Sequence, residues 1–133
     1  MPITTADYHL DPPEELVHHL GGYTLPAVFA AAVAADPDAV ALREGDRSST
    51  WRQWRTEVDA VACALQAAGV GPGDVVAVQL PNGTGFQTVH LAVAEIGAVL
   101  MPVHMGSGTR DVLALLRRVD PVAFVLTADG SAA

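Results

Sequence analysis

Two glycine-rich turns carry the residues of this sequence that are best placed for chemistry. Residues 81–85 (PNGTG) and 105–109 (MGSGT) each join a predicted strand to a predicted helix. Such turns bind phosphate groups in α/β proteins, because the first backbone N–H groups of the helix point at the anion. Neither turn has a complete G-x-G-x-x-G pattern or a Walker lysine. The sequence therefore favours helix capping at the first turn and a flexible connection at the second.

Histidine and cysteine supply one candidate ligand-binding residue. His104 closes a predicted strand at its carboxyl end, the edge where open α/β sheets bind ligands, so it is the candidate for cofactor binding. His18 and His19 would point about 100° apart on a helix and cannot chelate a metal together. His90 is predicted to be a hydrogen-bonded core histidine, and Cys63 a structural cysteine. The sequence thus predicts no catalytic residue and no metal site in this chain.

Charge and composition exclude several classes of function. The formal net charge is −8, and all seven basic residues are arginine. A surface this acidic repels phosphate backbones, so we expect no nucleic-acid binding. Without lysine the chain has no P-loop lysine, no Schiff-base lysine and no ammonium group to stabilise an adenylate. A single cysteine excludes a disulfide framework and a thiolate zinc site.

The cellular location is predicted from two missing signals. No apolar run reaches the roughly 18 residues that a membrane span requires. The first residues show no basic region followed by an apolar region, so they do not resemble a signal peptide. We expect no membrane association and a cytoplasmic location.

The clearest predicted element is a helix that begins after Thr50 and ends at Gly69. Thr50 and Gln53 have the spacing of a capping box, and Gly69 supplies a left-handed stop. Its apolar stripe consists of Trp51, Trp54, Val58, Val61, Leu65 and Ala68. The opposite side carries Arg52, Thr56, Asp59, Cys63 and Gln66.

The order of the other elements predicts an α/β fold. A helix over 25–35 precedes a small hairpin, in which 39–43 pairs with 48–50. Three strands follow, over 75–80, 98–103 and 122–127. Two helices connect them: the first opens at Thr84 in a second capping box, and the second opens at Asp111. Continuously apolar strands joined by such crossovers indicate a mostly parallel sheet with helices on both faces. Three strands leave open edges, so we expect residues 24–127 to be an incomplete part of a larger N-terminal domain. Residues 1–23 are predicted to be an extended segment with room for a short helix, and residues 128–133 a loop or cleavage-site tail.

Four sequence blocks resemble the adenylate-forming, AMP-binding enzymes. The first is 36–42 (DPDAVAL) followed by 49–54 (STWRQW), and the second is 68–78 (AGVGPGDVVAV). The third is 80–83 (LPNG), and the fourth is 94–103 (AEIGAVLMPV). Their order and gaps are those of the family over residues 24–127. The chain is therefore similar to the N-terminal portion of an acyl-CoA synthetase or a related ligase.

The resemblance implies an activity for the full-length enzyme but no catalytic residue in this chain. In members of the family, the phosphate loop, the adenine and ribose motifs and the catalytic lysine all come later in the polypeptide. The full enzyme would use ATP, Mg²⁺ and CoA to convert a carboxylic acid into acyl-AMP and then a thioester. This segment would bind none of these cofactors and alone would not be an enzyme. Its expected partner is the remainder of the same polypeptide, and a homodimer stays open. Three alternatives also stay open: a relative that uses preformed acyl-adenylate, an amino-acid adenylation domain, and a non-catalytic α/β binding module.

Overall fold

The computed structural model describes residues 24–127. In chain order these residues form α1 (Leu25–Ala35), β1 (Val40–Glu44), β2 (Arg47–Thr50), α2 (Trp51–Ala67), β3 (Val75–Gln79), α3 (Thr84–Ile96), β4 (Val99–Pro102), α4 (Thr109–Val119) and β5 (Ala123–Leu126). Each predicted element is present, with bounds that differ by at most two residues. The predictions for 1–23, which include His18 and His19, and for 128–133 lie outside the described residues.

The three apolar strands form one parallel sheet in the order β4-β3-β5. Val75 is the register partner of Val99 on β4, and Val76 is the partner of Ala123 on β5. The central strand β3 is buried along most of its length, as expected for a strand paired on both sides. Strands β1 and β2 form a separate antiparallel hairpin. The predicted combination of a parallel sheet and a small hairpin is confirmed.

Helices cover both faces of the sheet. Successive side chains of a strand point to opposite faces, so Val76 and Val78 join the core that includes Val58 of α2 and Val93 of α3. The intervening Ala77 joins a second core with Val112 of α4 and Val103, which follows β4. Within residues 24–127, no helix combines the length and apolarity needed to cross a bilayer.

Helix α2 forms as its sequence predicts, except that Ala68, assigned to the apolar stripe, is exposed at the C-cap. The Gln53 N–H donates to Thr50 Oγ1 at 3.2 Å, and the Thr50 N–H donates to Gln53 Oε1 at 2.9 Å, which completes the capping box. Trp54, Val58 and Leu65 are buried, whereas the predicted polar side is exposed. Gly69 follows the helix with φ of +97°, a conformation that glycine adopts without strain.

Two predictions for α3 are wrong. Thr84 is not the N-cap: the helix begins at Thr84 after Gly83, which has no side chain to cap it. The Glu44 carboxylate caps it instead and accepts hydrogen bonds from the Thr84 N–H at 3.2 Å and from Thr84 Oγ1 at 2.9 Å. His90 is exposed rather than in the core, because the buried face of α3 is centred on Ala92, on the other side of the helix. The expectation that α3 is buried on more than one side is confirmed by Thr88, Val89, Leu91, Ala92, Val93 and Ile96.

Candidate functional site

A cleft lies at the carboxyl ends of β3 and β4 and encloses about 470 Å³. We call it the edge cleft; its walls include Leu80, Asn82, Phe86, Pro102, His104 and Met105. The carboxyl edge of a parallel sheet is where α/β proteins bind ligands, because the turns that leave the strands converge there. The structure therefore places His104, the candidate from sequence, at the edge where ligands are expected.

The imidazole of His104 is oriented by its own loop. The backbone N–H of Gly106 donates to His104 Nδ1 at 3.0 Å. A Cβ atom on residue 106 would lie 3.1 Å from Cε1 of the ring, so glycine is what allows this close approach. The ring itself stays exposed to solvent. His104 thus presents an oriented side chain at the surface of the cleft.

The backbone of His104 is held from the sheet side by Gln79. Nε2 of Gln79 donates to the His104 carbonyl at 3.0 Å, and Gln79 is only 5% exposed. A buried amide needs a partner, and this one joins the end of β3 to the chain leaving β4. The loop that carries His104 is therefore held close to the end of β4.

The first glycine-rich turn is occupied by a carboxylate of this chain. Besides capping α3, Glu44 lies so close to Gly83 that a Cβ atom there would collide with Glu44 Oε1. A phosphate at this helix N-terminus would meet the negative charge of Glu44. The turn is a capping site, as the sequence favoured, although the cap comes from the hairpin rather than from Thr84.

A second groove of about 260 Å³ contains Cys63 and Arg55 of α2. Cys63 is exposed on the polar side of the helix. Arg55 donates to Asp59 and, at 2.6 Å, to Glu95 Oε1. The hydrogen bond that Arg55 donates to Asp59, and next the one to Glu95, raises the pKa of Arg55 above its ordinary value. Since its guanidinium is already paired with two carboxylates, Arg55 has little capacity left for an anionic ligand.

No cluster of three or more histidine, cysteine, aspartate or glutamate side chains that could hold a metal ion occurs within residues 24–127. The edge cleft has one imidazole and one amide, from His104 and Asn82, among otherwise apolar walls. Neither these groups nor the turn at Gly83, which the Glu44 carboxylate occupies, supply the cationic groups that the phosphates of Mg-ATP require. The residues of the edge cleft therefore do not fit Mg-ATP.

Two residues of this region, Gln79 and Glu44, were not singled out in the sequence. Gln79 is a polar residue at the end of an otherwise apolar strand (VVAVQ), and this break in the pattern was a usable signal. Glu44 had no such signal, because its contact with Thr84 is not visible in the sequence spacing. Gly106 was noted as part of the turn 105–109, but its contact with the ring of His104 was not predicted.

Comparisons with known proteins identify the fold and the family. The profile of the AMP-binding enzyme family matches residues 29–133. Protein Y of Streptomyces griseus is 54% identical over 128 residues, which are 96% of this chain and 42% of that protein. A salicylyl-CoA synthase / salicylate adenylyltransferase of a Streptomyces species is 42% identical over 76 residues, 55% of this chain and 14% of that protein. This chain therefore spans less than half the length of either relative.

The solved structures agree with the sequence comparison. The N-terminal subdomain of Klebsiella oxytoca NpsA superimposes with a TM-score of 0.68 at 26% identity, over 79% of this chain and 31% of that one. The chain belongs to the AMP-binding, adenylate-forming enzyme family.

Proposed function

We propose that this chain is the N-terminal framework of an enzyme that activates a carboxylic acid and transfers its acyl group to CoA. In the first step a carboxylate oxygen attacks the α-phosphorus of ATP, and pyrophosphate leaves as acyl-AMP forms. In the second step the CoA thiolate attacks the acyl carbon and AMP leaves. The observation that carries the proposal is the 42% identity to a salicylyl-CoA synthase / salicylate adenylyltransferase within a matched AMP-binding family.

The described residues support a framework role rather than a catalytic one. Charge that develops on the α-phosphate must be stabilised by cationic groups or a metal ion. This chain contains no lysine, Arg52 and Arg55 are paired with carboxylates, and the walls of the edge cleft carry no arginine among the described residues. The groups that act on ATP, Mg²⁺ and CoA are therefore assigned to the remainder of the polypeptide, which is the proposed partner of this segment.

The test is pyrophosphate exchange by the complete polypeptide. Carboxylate-dependent exchange of labelled pyrophosphate into ATP, followed by loss of the free CoA thiol, is the expected result. Consumption of CoA from supplied acyl-AMP without exchange would indicate a relative that uses preformed adenylate. Exchange together with transfer to a carrier-protein thiol, and none to CoA, would replace the proposed acceptor.

The 133-residue chain is the matched control in the same assay. We expect it to catalyse no exchange, because it contains no lysine and no arginine lines the edge cleft. Exchange by this chain alone would overturn the framework role. A lack of both half-reactions in the complete polypeptide would favour a non-catalytic binding module.

A cytoplasmic location and a homodimer stay predictions. Cell fractionation can check the location, and sedimentation can check the oligomeric state.

A further inference from the structure

Helix α4 presents a row of arginines to solvent. Its inner side packs into the second core through Val112. The residues of the outer side recur every three or four positions, so they lie along one exposed face: Arg110, Leu113, Ala114, Arg117 and Arg118. We call this face the basic stripe. It gathers three of the seven arginines of the chain onto one helix of 11 residues, with Leu113, 44% exposed, among them.

The charges of the basic stripe are not neutralised within residues 24–127. The ion pairs formed there belong to two arginines of α2, and none involves an arginine of the stripe. The helix also carries Asp111 in its first turn and is capped by Asp120, but neither carboxylate takes part in an ion pair there. A row of cations around an apolar side chain is complementary to a segment that combines carboxylates with apolar residues.

The first 23 residues of the chain have this composition. They contain neither lysine nor arginine, and their four carboxylates supply half of the formal net charge of −8: Asp7, Asp11, Glu14 and Glu15. Residues 14–20 (EELVHHL) also place two of these carboxylates next to three aliphatic side chains. A second copy of the chain is a poorer occupant, because a two-fold contact of α4 with α4 would bring like charges together.

The segment is long enough to reach the stripe. It joins the described structure at Thr24, before α1, which packs against α2 and α3 on the other side of the sheet from α4. The four carboxylates precede Thr24 by 9 to 17 residues, which span about 30–55 Å when extended. A helix, a sheet and a second helix are together about 30 Å thick. The extended chain can therefore pass around the sheet.

We propose that residues 1–23 dock on the basic stripe, with their carboxylates paired with Arg110, Arg117 and Arg118 and an apolar side chain of residues 14–20 against Leu113. Exposed ion pairs are individually weak. They suffice here because the segment is tethered, and a tether gives an effective concentration of about a millimolar. The docked segment joins the α1 side of the sheet to the α4 side and neutralises the stripe.

The experiment is paramagnetic relaxation enhancement in the isotope-labelled 133-residue protein. Cys63→Ser removes the only thiol, and His9→Cys places a nitroxide between Asp7 and Asp11. Amide intensities are compared between the oxidised and the reduced label. Among residues 24–127, we expect the largest loss of intensity at residues 110–118. The loss should disappear in 1 M salt, where the Debye length is about 3 Å.

A mixed sample separates docking within one chain from docking between two chains. Isotope-labelled protein without a nitroxide is mixed with unlabelled protein that carries one. We expect full intensity at residues 110–118 in this mixture. A loss as large as in the singly labelled chain would assign the contact to a second copy and overturn the proposal.

Matched charge reversals test the pairing itself. Arg117→Glu should lower the ratio of docked to undocked segment at least about threefold, the effect of one exposed ion pair. Arg43→Glu makes the same change of net charge at an exposed arginine of the hairpin and should leave the ratio unchanged. Glu14→Arg/Glu15→Arg should also weaken docking. Combining that pair with Arg110→Glu/Arg117→Glu should restore it, because the charges are then exchanged.

Three results contradict the assignment. Full intensity at residues 110–118 in low salt would show that the segment does not dock on α4, and an undiminished loss in 1 M salt would show that charge does not hold it. Equal effects of Arg43→Glu and Arg117→Glu would reduce the interaction to nonspecific attraction. None of these measurements depends on pyrophosphate exchange, so the proposal stands or falls separately from the proposed function.

Discussion

The indole of Trp54 and the hydroxyl of Thr88 form a buried hydrogen bond between α2 and α3. Nε1 of Trp54 donates to Thr88 Oγ1 at 3.0 Å, and the same hydroxyl donates to the Thr84 carbonyl at 2.9 Å. Both side chains are less than a tenth exposed. The ring of Phe29 packs edge-on against Trp54 with centroids 5.0 Å apart, so α1 is anchored at the same point. This bond is the buried polar link between the two helices, which the more exposed ion pair of Arg55 and Glu95 also joins.

Replacement of Thr88 by valine tests this link, because the shape is kept while the acceptor of the indole N–H is removed. A buried donor without a partner should lower the free energy of unfolding by about 1–3 kcal/mol. Trp54→Ala should cost roughly 3–5 kcal/mol, since it also leaves a cavity. Urea denaturation measures both effects. The bond itself is isolated by the single variants Trp54→Phe and Thr88→Val and by the double variant that combines them. The double variant should lose less free energy of unfolding than the two single variants together. Strict additivity would show that the bond contributes nothing.

The contact of Glu44 with α3 gives a second prediction. Gly83→Ala should lower the free energy of unfolding by about 1 kcal/mol, the usual effect of losing a helix cap. The reason is steric: the methyl group would force the Glu44 carboxylate away from Thr84. Glu44→Ala removes the carboxylate and should cost a similar amount. Thermal unfolding of the two single variants and the double variant measures the coupling.

The double variant decides the cause of the Gly83 effect. With Glu44 already removed, the added methyl group meets nothing else within contact distance in the described residues. Gly83→Ala should then be nearly neutral. An undiminished loss in the Glu44→Ala background would place the effect in the backbone of the turn instead.

Two arginines on α2 provide a matched pair for a third prediction. Arg55 is 29% exposed, is paired with Glu95 and Asp59, and has its guanidinium 5.3 Å from the ring centroid of Phe29. Arg55→Met should lower the free energy of unfolding by about 1–2 kcal/mol, because a partly buried pair and a cation–π contact are both lost. Arg52 is 63% exposed and paired with Asp38. Arg52→Met should cause no measurable change.

The pH dependence of the Arg55 effect follows from its pKa. The partners Asp59 and Glu95 raise the pKa of Arg55 in the folded protein. Because this pKa is higher in the folded state, the charged guanidinium stabilises the fold. The stabilisation is complete at any pH below the ordinary pKa of arginine and is lost only above it. The difference in stability between the parent protein and Arg55→Met should therefore stay constant from neutral to mildly alkaline pH. A decline in that interval would contradict the assignment to the guanidinium.

Features determined by neighbouring residues were predictable from the sequence, and those determined by distant contacts were not. The capping box of Thr50 and Gln53 closes over three residues, so its pattern is visible in the sequence. The cap of α3 comes from Glu44, 40 residues before Thr84, and the local Thr-x-x-Gln pattern there was misleading. His90 was assigned to the wrong side of α3 because this helix is apolar almost all round, and its buried face depends on where α2 and the sheet lie.

The candidate site shows the same limit. The position of His104 at the carboxyl end of a strand was correctly predicted, because alternation of strands and helices fixes which edge a residue occupies. The hydrogen bond from Gln79 depends on the pairing of β3 with β4, and the orientation of the imidazole depends on Gly106. Sequence alone therefore identifies the residue, whereas the geometry that prepares it to bind requires the folded loop.

The outer strands of the sheet give the last prediction. Within residues 24–127, β4 and β5 each pair only with β3, and they carry the exposed side chains of Val99 and Leu126, at 52% and 46%. Unpaired strand edges with apolar side chains promote association through added strand pairing, and lysine at such positions opposes it. Val99→Lys and Leu126→Lys should therefore raise the concentration at which the 133-residue chain self-associates, as measured by light scattering and sedimentation. Leu113→Lys on α4 is the control, since Leu113 is similarly exposed at 44% but lies on a helix. An equal effect of Leu113→Lys would show that exposed apolar area, and not the open strand edges, drives association.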